Sequence, residues 1–286
     1  MRIANLAGRL VLLEPGTDVD APRGIDVERA GPFDADPQAV FARWAEFRDW
    51  AAGASFADAA PLETAALGPV TPRPPQVFGI GLNYRDHAAE GDYGLPEHPT
   101  IFGRWTASLT VGGVGVPVPT NEPGLDWEGE VAAVLGAPLA DATPAEAEAA
   151  VLGHAVVNDL SARRAQKLTA QWTLGKNADR SGPMGPLVTV DETGPLSDGL
   201  ALTTRVNGTV VQEGNTKDLI FGVGETLALV SRTLTLAPGD VLVTGTPAGV
   251  GYARNPPWLL GPGDVVEVEV ERLGLLRTPI VGPEGR

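Results

Sequence analysis

Leu236-Ala237-Pro238-Gly239-Asp240-Val241 and Leu260-Gly261-Pro262-Gly263-Asp264-Val265 are two copies of one pattern, a Pro-Gly-Asp turn that delivers the chain into an apolar run. After the second copy, Val266, Val268 and Val270 alternate with Glu267, Glu269 and Glu271, the period of two expected of a strand with one wet face. Two copies are too few for a solenoid, and their spacing predicts a curled mixed sheet. Working outward, short apolar runs bounded by Gly, Pro or Asp predict further strands at 77–82, 100–102, 114–118, 130–135, 154–158 and 187–190. Asn207-Gly208 sits at a two-residue hairpin turn, and Gly8-Arg9 separates two shorter runs near the start. Helices are few. Asp36-Pro37 opens one whose apolar face is Val40, Phe41, Trp44, Phe47 and Ala51. Thr143, Pro144 and Glu146 form a capping-box start to a second, and a third spans about 225–234. The fold class is therefore mixed α+β and strand-dominated. The proline-rich run 68–75 is unsuited to helix or inner strand, so the boundary falls there, between a small N-terminal α+β domain (1–70) and a larger domain (71–286).

Composition narrows the function. The 286 residues carry 21 Lys+Arg against 36 Asp+Glu, a net charge of −15, which repels phosphate backbones and disfavours nucleic acid as a partner. A 43% hydrophobic content supports a buried core. With no cysteine there are no disulfides, thiolate nucleophiles or sulfur-ligated metals, and with three histidines any metal is held mainly by oxygen. No apolar stretch is long enough to span a bilayer, and the opening MRIANLAGRLVLLEPG lacks signal-peptide layout, so the expectation is a cytoplasmic protein without membrane contact. Neither a GxSxG nor an SxxK motif occurs, nor a dinucleotide or Walker loop, which sets aside serine catalysis and nucleotide binding.

The carboxylates are more informative. In Asp126-Trp127-Glu128-Gly129-Glu130-Val131 the two Glu are two apart at a strand start and share a face. Alone, that pair reads as the solvent side of a strand end. Asp159 closes the apolar run 154–158, where an unpaired carboxylate is expensive, and three acids from two strand ends form a hard oxygen site suited to Mg²⁺ or Mn²⁺, with Ca²⁺ a possible substitute in a crystal. Arg163, Arg164, Gln166, Lys167 and Lys176 follow in an otherwise acidic chain; Arg is suited to carboxylate recognition and Lys to a developing oxyanion, while Lys167 is read as a solvent-facing charge. His87 and Glu90, three apart on a helical turn, are either a general-base dyad or a surface pair. His154 and His98 are read as structural or exposed. Gly91, Asp92, Tyr93, Gly94 and Pro96 give the segment 85–98 the composition of a mobile lid.

Seven ordered stretches, GIGLNYRDHAAE (79–90), DWEGEVAAVLG (126–136), HAVVNDLSARRAQ (154–166), WTLGKN (172–177), PMGPLVT (183–189), VNGTVVQEGNTKDLIF (206–221) and GDVLVTGTPAGVG (239–251), together resemble the fumarylacetoacetate hydrolase family over about residues 74–282, and its smaller acylpyruvate hydrolase and 2-hydroxyhepta-2,4-diene-1,7-dioate isomerase type in particular. The resemblance implies the family's mixed β-roll and a Mg²⁺ or Mn²⁺ site at Glu128, Glu130 and Asp159. It implies a His87–Glu90 dyad, a catalytic Lys176, substrate contacts from Arg163, Gln166 and Thr246, and a homodimer. The implied activity is hydrolysis of a C–C bond in a 2,4-dioxo acid such as an acylpyruvate or fumarylpyruvate, of the kind met in aromatic catabolism. Oxaloacetate-type decarboxylation, 2-oxo-diene acid isomerisation or hydration at the same site, and a non-catalytic homologue are the alternatives. The substrate in each catalytic case is a small anionic 2-oxo acid. Arg104, Arg164 and Asn177 depart from the family pattern and are expected at the pocket rim, where they would affect substrate choice.

Overall fold

The computed structural model describes residues 1–17, 21–90 and 96–283, side chains at 88–90 excepted. The segment expected to form a lid includes residues 91–95, which lie outside the described residues.

Among the described residues two sheets organise the chain, one of 13 strands and one of five. Gly129–Leu135 and Val151–Asn158 pair antiparallel in the middle of the larger sheet and are buried along their whole length. Near-continuous apolar sequence is what a strand covered on both faces requires. Alternate residues serve different cores: Val131, Ala133 and Leu135 pack with Val266, Val268 and Val270 of the five-stranded sheet, whereas Ala132 and Val134 pack with Ile3, Leu10 and Phe47 from the N-terminal segment. Arg2–Leu6 pairs antiparallel with Leu187–Thr189, so the first strands continue the large sheet. Both sheets are mixed: Val241–Val243 runs parallel to Val77–Gly81, and Gly274–Val281 parallel to Val116–Pro117.

The two Pro-Gly-Asp copies are structurally equivalent turns. Gly239 and Gly263 have φ of 90° and 99°, the left-handed conformation that a type II turn with Pro before it demands and that glycine adopts without steric cost. In each, the aspartate carboxylate accepts a 2.8 Å hydrogen bond from the backbone three residues earlier, Ala237 N to Asp240 and Gly261 N to Asp264. The strands they open part company: Val241–Val243 enters the large sheet and Val265–Val270 the small one. Asp240 also accepts from Gln76 N at 2.9 Å, which holds the end of the proline-rich run beside its parallel strand.

The capping box at Thr143 and Glu146 is present on Pro144–Ala149, and Asn207-Gly208 is the predicted turn, with φ of 51° and 79°. Two expectations are corrected. The first hairpin turns at Ala7-Gly8 (φ 51° and 85°) and not at Gly8-Arg9, because Arg9 is already paired with Leu6. The helix after Asp36 begins as 3-10 over Pro37–Arg43 and becomes α only at Trp44–Ala52. Asp36 caps the Gln38 N–H, a tight first turn common at helix starts, and Val40 and Phe47 still reach the core.

His154 is structural, as expected. It is 1% exposed, its Nδ1 lies 2.9 Å from Thr193 Oγ1, and burial pushes the imidazole down from 6.5 to about 4. The unfolded chain therefore binds a proton that the folded one refuses between those values, and stability falls as pH drops through 6.5 toward 4. Going from pH 7.5 to 4.5, His154 accounts for about 2–3 kcal/mol of lost stability. In His154→Gln this share disappears, and denaturant titrations at the two pH values measure it as a flatter pH dependence than in the parent chain.

Candidate active site

Glu128 immediately precedes the strand Gly129–Leu135, Glu130 lies within it, and Asp159 follows Val151–Asn158. Register places Gly129 opposite Asn158 and Glu130 opposite Val157, and Asp159 N donates to Glu128 O at 2.9 Å. All three acids therefore leave one face at one end of the strand pair. They are buried, with one oxygen from each within 4.8 Å of the others.

Three cations meet them. Lys176 Nζ, from the short helix Thr173–Lys176, binds Glu128 Oε2 and, at 2.7 Å, Asp159 Oδ2. Arg163, from Arg163–Gln166, donates through Nη2 to Glu128 Oε1 at 2.6 Å and through Nε to Asp126 Oδ2 at 2.7 Å. Arg104 binds Asp159 Oδ1 and, at 2.8 Å, Ser181 Oγ. Ala162 N donates to Gly175 O at 2.8 Å, which locks the two short helices together and with them the relative placement of Arg163 and Lys176.

Protonation follows from these contacts. Burial alone would raise Glu128, but the Lys176 and Arg163 charges overcome it and hold the carboxyl down to about 2. Glu130 goes the other way: burial, then the charges of Asp159 and Glu128, push it well above the carboxylate range. Burial disfavours the Lys176 ammonium, yet Asp159 and Glu128 outweigh that and keep it charged.

The loop Gly245-Thr246-Pro247 closes one side. Gly245 has φ of 96° and turns its N–H onto Glu130 Oε2 at 2.5 Å; a side chain there would meet Asn83 and the Ile80 carbonyl. Thr246 Oγ1 donates to Gly129 O at 2.9 Å and accepts from Gln212 Nε2 at 2.8 Å, while Gly129 N donates to Gln212 Oε1 at 3.0 Å. Gln212 thus clasps loop and strand from the five-stranded sheet. Asp126 accepts from Gly251 N and Tyr252 N at 2.7 and 3.2 Å, fixing the turn that carries Tyr252. Asn83 anchors the segment before His87 through Phe221 and Thr244.

A cavity of about 550 Å³ opens over this cluster. Of the residues singled out from sequence, His87, Glu128, Glu130, Arg163, Gln166, Lys176 and Thr246 line it. Asp159 lies behind them in the acid cluster, and the Glu90 side chain is outside the described residues. Ile80, Leu82, Trp172 and Val250 supply apolar wall.

The residues fit a divalent cation. Asp126, Glu128, Glu130 and Asp159 face Arg104, Arg163 and Lys176, an excess of one negative charge, and Glu130 is the acid without an ion-pair partner among the described residues. Three buried, all-oxygen donors around that deficit are the chemistry a hard divalent ion satisfies.

The sequence model described as "Fumarylacetoacetate (FAA) hydrolase C-terminal" matches residues 76–281. The chain belongs to the fumarylacetoacetate hydrolase family. Mitochondrial oxaloacetate tautomerase of Rattus norvegicus is 39% identical over 216 residues, which span 75% of this chain and 69% of the rat protein. The fumarylacetoacetate hydrolase of the psychrophile Exiguobacterium antarcticum superposes with a TM-score of 0.83 at 32% identity, over 99% of both chains. The 2-hydroxyhepta-2,4-diene-1,7-dioate isomerase of Mycobacterium marinum superposes with a TM-score of 0.74 at 29% identity, over the whole of both. The fold is the strand-dominated α+β architecture of this family, and among the described residues no helix is long and apolar enough to cross a membrane.

Against the fumarylacetoacetate hydrolase pattern, the three departures do not rim the pocket. Arg104 is 4% exposed and bound to Asp159, because the strand Thr100–Gly103 aims it inward at the acid cluster. Asn177 ties Trp105 N to Gly103 O and Thr173 O, a scaffold role. Arg164 is exposed and held at Asn121 and Glu122. Lys167, read from sequence as a solvent-facing charge, is exposed and also lines the cavity. Asp126 was visible in the DWEGE stretch, but its partners lie 37, 125 and 126 residues away and no local spacing announces them.

Proposed function

We propose that the chain is a divalent-metal-dependent hydrolase that cleaves a C–C bond in a 2,4-dioxo acid such as an acylpyruvate. The observation that carries this reading is the convergence of Glu128, Glu130, Lys176 and His87 on one cavity, with Asp159 completing the acid cluster beside it. Mg²⁺ or Mn²⁺ held by the three acids would supply Lewis acidity toward the substrate's oxygens. His87, with Glu90 as its proposed orienting carboxylate, takes a proton from water as that water adds to the distal carbonyl. The C–C bond then breaks; its electron pair goes to the departing enolate, which takes up a proton to become the 2-oxo acid, and the acyl carbon leaves as a carboxylic acid. The Lys176 ammonium, charged because two carboxylates face it, stabilises the enolate oxygen as negative charge develops. Arg163 and Gln166, joined at 3.0 Å, present a donor-rich wall to the anionic substrate. We assign residues 1–70 as a small domain that backs the sheet carrying the site.

A second reading follows from the relatives. Oxaloacetate tautomerisation and isomerisation of a 2-hydroxy-diene dioate, which the rat and Mycobacterium marinum proteins are named for, need only proton transfer to and from an enol at the same residues. Product analysis on acylpyruvates, fumarylpyruvate, oxaloacetate and 2-hydroxymuconate-like diacids, with Mg²⁺ and with Mn²⁺, separates the two. Hydrolysis yields two acids in equal amounts. Isomerised substrate without cleavage rejects the first reading in favour of the second.

A further inference from the structure

The cations around the cavity are not equally available. Arg163 is held by Asp126 and Glu128, and Lys176 by Glu128 and Asp159, so both are anchored at the acid cluster. Lys167 has no ion-pair partner among the described residues and nevertheless lines the cavity. Its ammonium sits 3.7 Å from the centroid of the Tyr252 ring, a cation–π contact that positions the charge without neutralising it. Tyr252 is in turn fixed through its N–H by Asp126, the same carboxylate that clamps Arg163. Lys167 also follows Gln166 directly, so one helix end carries Arg163 and Gln166 toward the buried acids and Lys167 toward the exposed mouth. An ammonium has three N–H donors, and the ring face cannot accept them all.

We infer that Lys167 and Tyr252 form a distal anion subsite, and that the substrate is a 2-oxo acid bearing a second carboxylate at the end away from the acid cluster. The inference rests on the cavity being a 2-oxo acid site, and it selects diacids such as fumarylpyruvate over acylpyruvates with an apolar tail. Lys167 is a specificity residue: it touches the substrate's remote end and takes no part in bond cleavage. Because the lysine is solvent-accessible, its ion pair with substrate is discounted for screening and is worth about a five- to tenfold change in affinity.

The test uses non-cleavable probes, so that it does not depend on the reaction. With Mg²⁺ present, calorimetry compares 2-oxoglutarate, a 2-oxo diacid, with 2-oxobutyrate, a 2-oxo monoacid. The parent chain is expected to prefer the diacid; Lys167→Met lowers that preference about five- to tenfold, Lys167→Arg restores most of it, and 0.5 M NaCl erodes it. Tyr252→Leu, which frees the ammonium, lowers the preference in the same direction, and Tyr252→Phe retains it. Equal weakening of both acids by Lys167→Met, or no weakening of either, overturns the subsite while leaving the 2-oxo acid reading in place. If neither acid binds the parent chain, the underlying reading fails and the subsite with it.

Discussion

Lys176→Met is expected to lower kcat by about 10²–10³ and, in the metal-free chain, to cost about 3–5 kcal/mol of stability. The two effects have separate origins. The rate effect is loss of the ammonium that meets the developing enolate charge. The stability effect follows because Glu128 and Asp159 each lose one of two cationic partners, while burial, with Glu130 alongside, makes unpaired charge costly. A divalent ion at the acids restores the charge balance but not the enolate's partner. Thermal melts should therefore show the variant gaining far more from Mg²⁺ than the parent chain gains, with kcat still depressed at saturating Mg²⁺. A variant whose activity recovered in step with its stability would reduce Lys176 to a structural role.

Glu130→Gln is expected to separate stability from function in the opposite sense. Glu130 is the acid that burial and two neighbouring carboxylates penalise, and its clear contact is the Gly245 N–H at 2.5 Å, which an amide oxygen accepts equally well. A neutral amide takes the place of a carboxyl whose ionisation burial and its neighbours disfavour, so the metal-free melting temperature should stay at or above that of the parent chain. Ligation should suffer badly. Loss of outer partners alone costs metal sites about 10–100-fold, and loss of a donor should exceed that, with activity falling in proportion. Calorimetric Mg²⁺ titration and a metal-free melt on the same preparation check both halves.

The parts of this site that could be read from sequence are those with a local rule behind them. Glu128 and Glu130 share a face because strand side chains repeat every two residues, and Asp159 stood out because it ends an apolar run. The Pro-Gly-Asp turns, the capping box and Asn207-Gly208 were legible for the same reason. What sequence reading missed depends on chain that is distant. Arg104 looks like any arginine at a strand end until pairing of Thr100–Gly103 with Val77–Gly81 turns it toward Asp159, 55 residues on. Lys167 reads as a solvated charge until the turn Gly251–Ala253 brings the Tyr252 ring against it. Gln212 lies in a strand of the other sheet, and nothing in VVQEGN foretells that it clasps Gly129 and Thr246. The net charge of −15 does not carry over to the site. It describes the surface, while the cluster with a divalent ion would be one unit positive and receptive to a small anion.

The most direct measurement is of products from an acylpyruvate incubated with the purified chain, quantified with Mg²⁺ present and again after EDTA. Pyruvate and the acyl-derived acid are expected in one-to-one amounts with Mg²⁺, with loss of both on chelation and recovery when Mg²⁺ is restored. Undiminished cleavage in EDTA, or consumption of substrate with no cleavage products, would contradict metal-dependent hydrolysis.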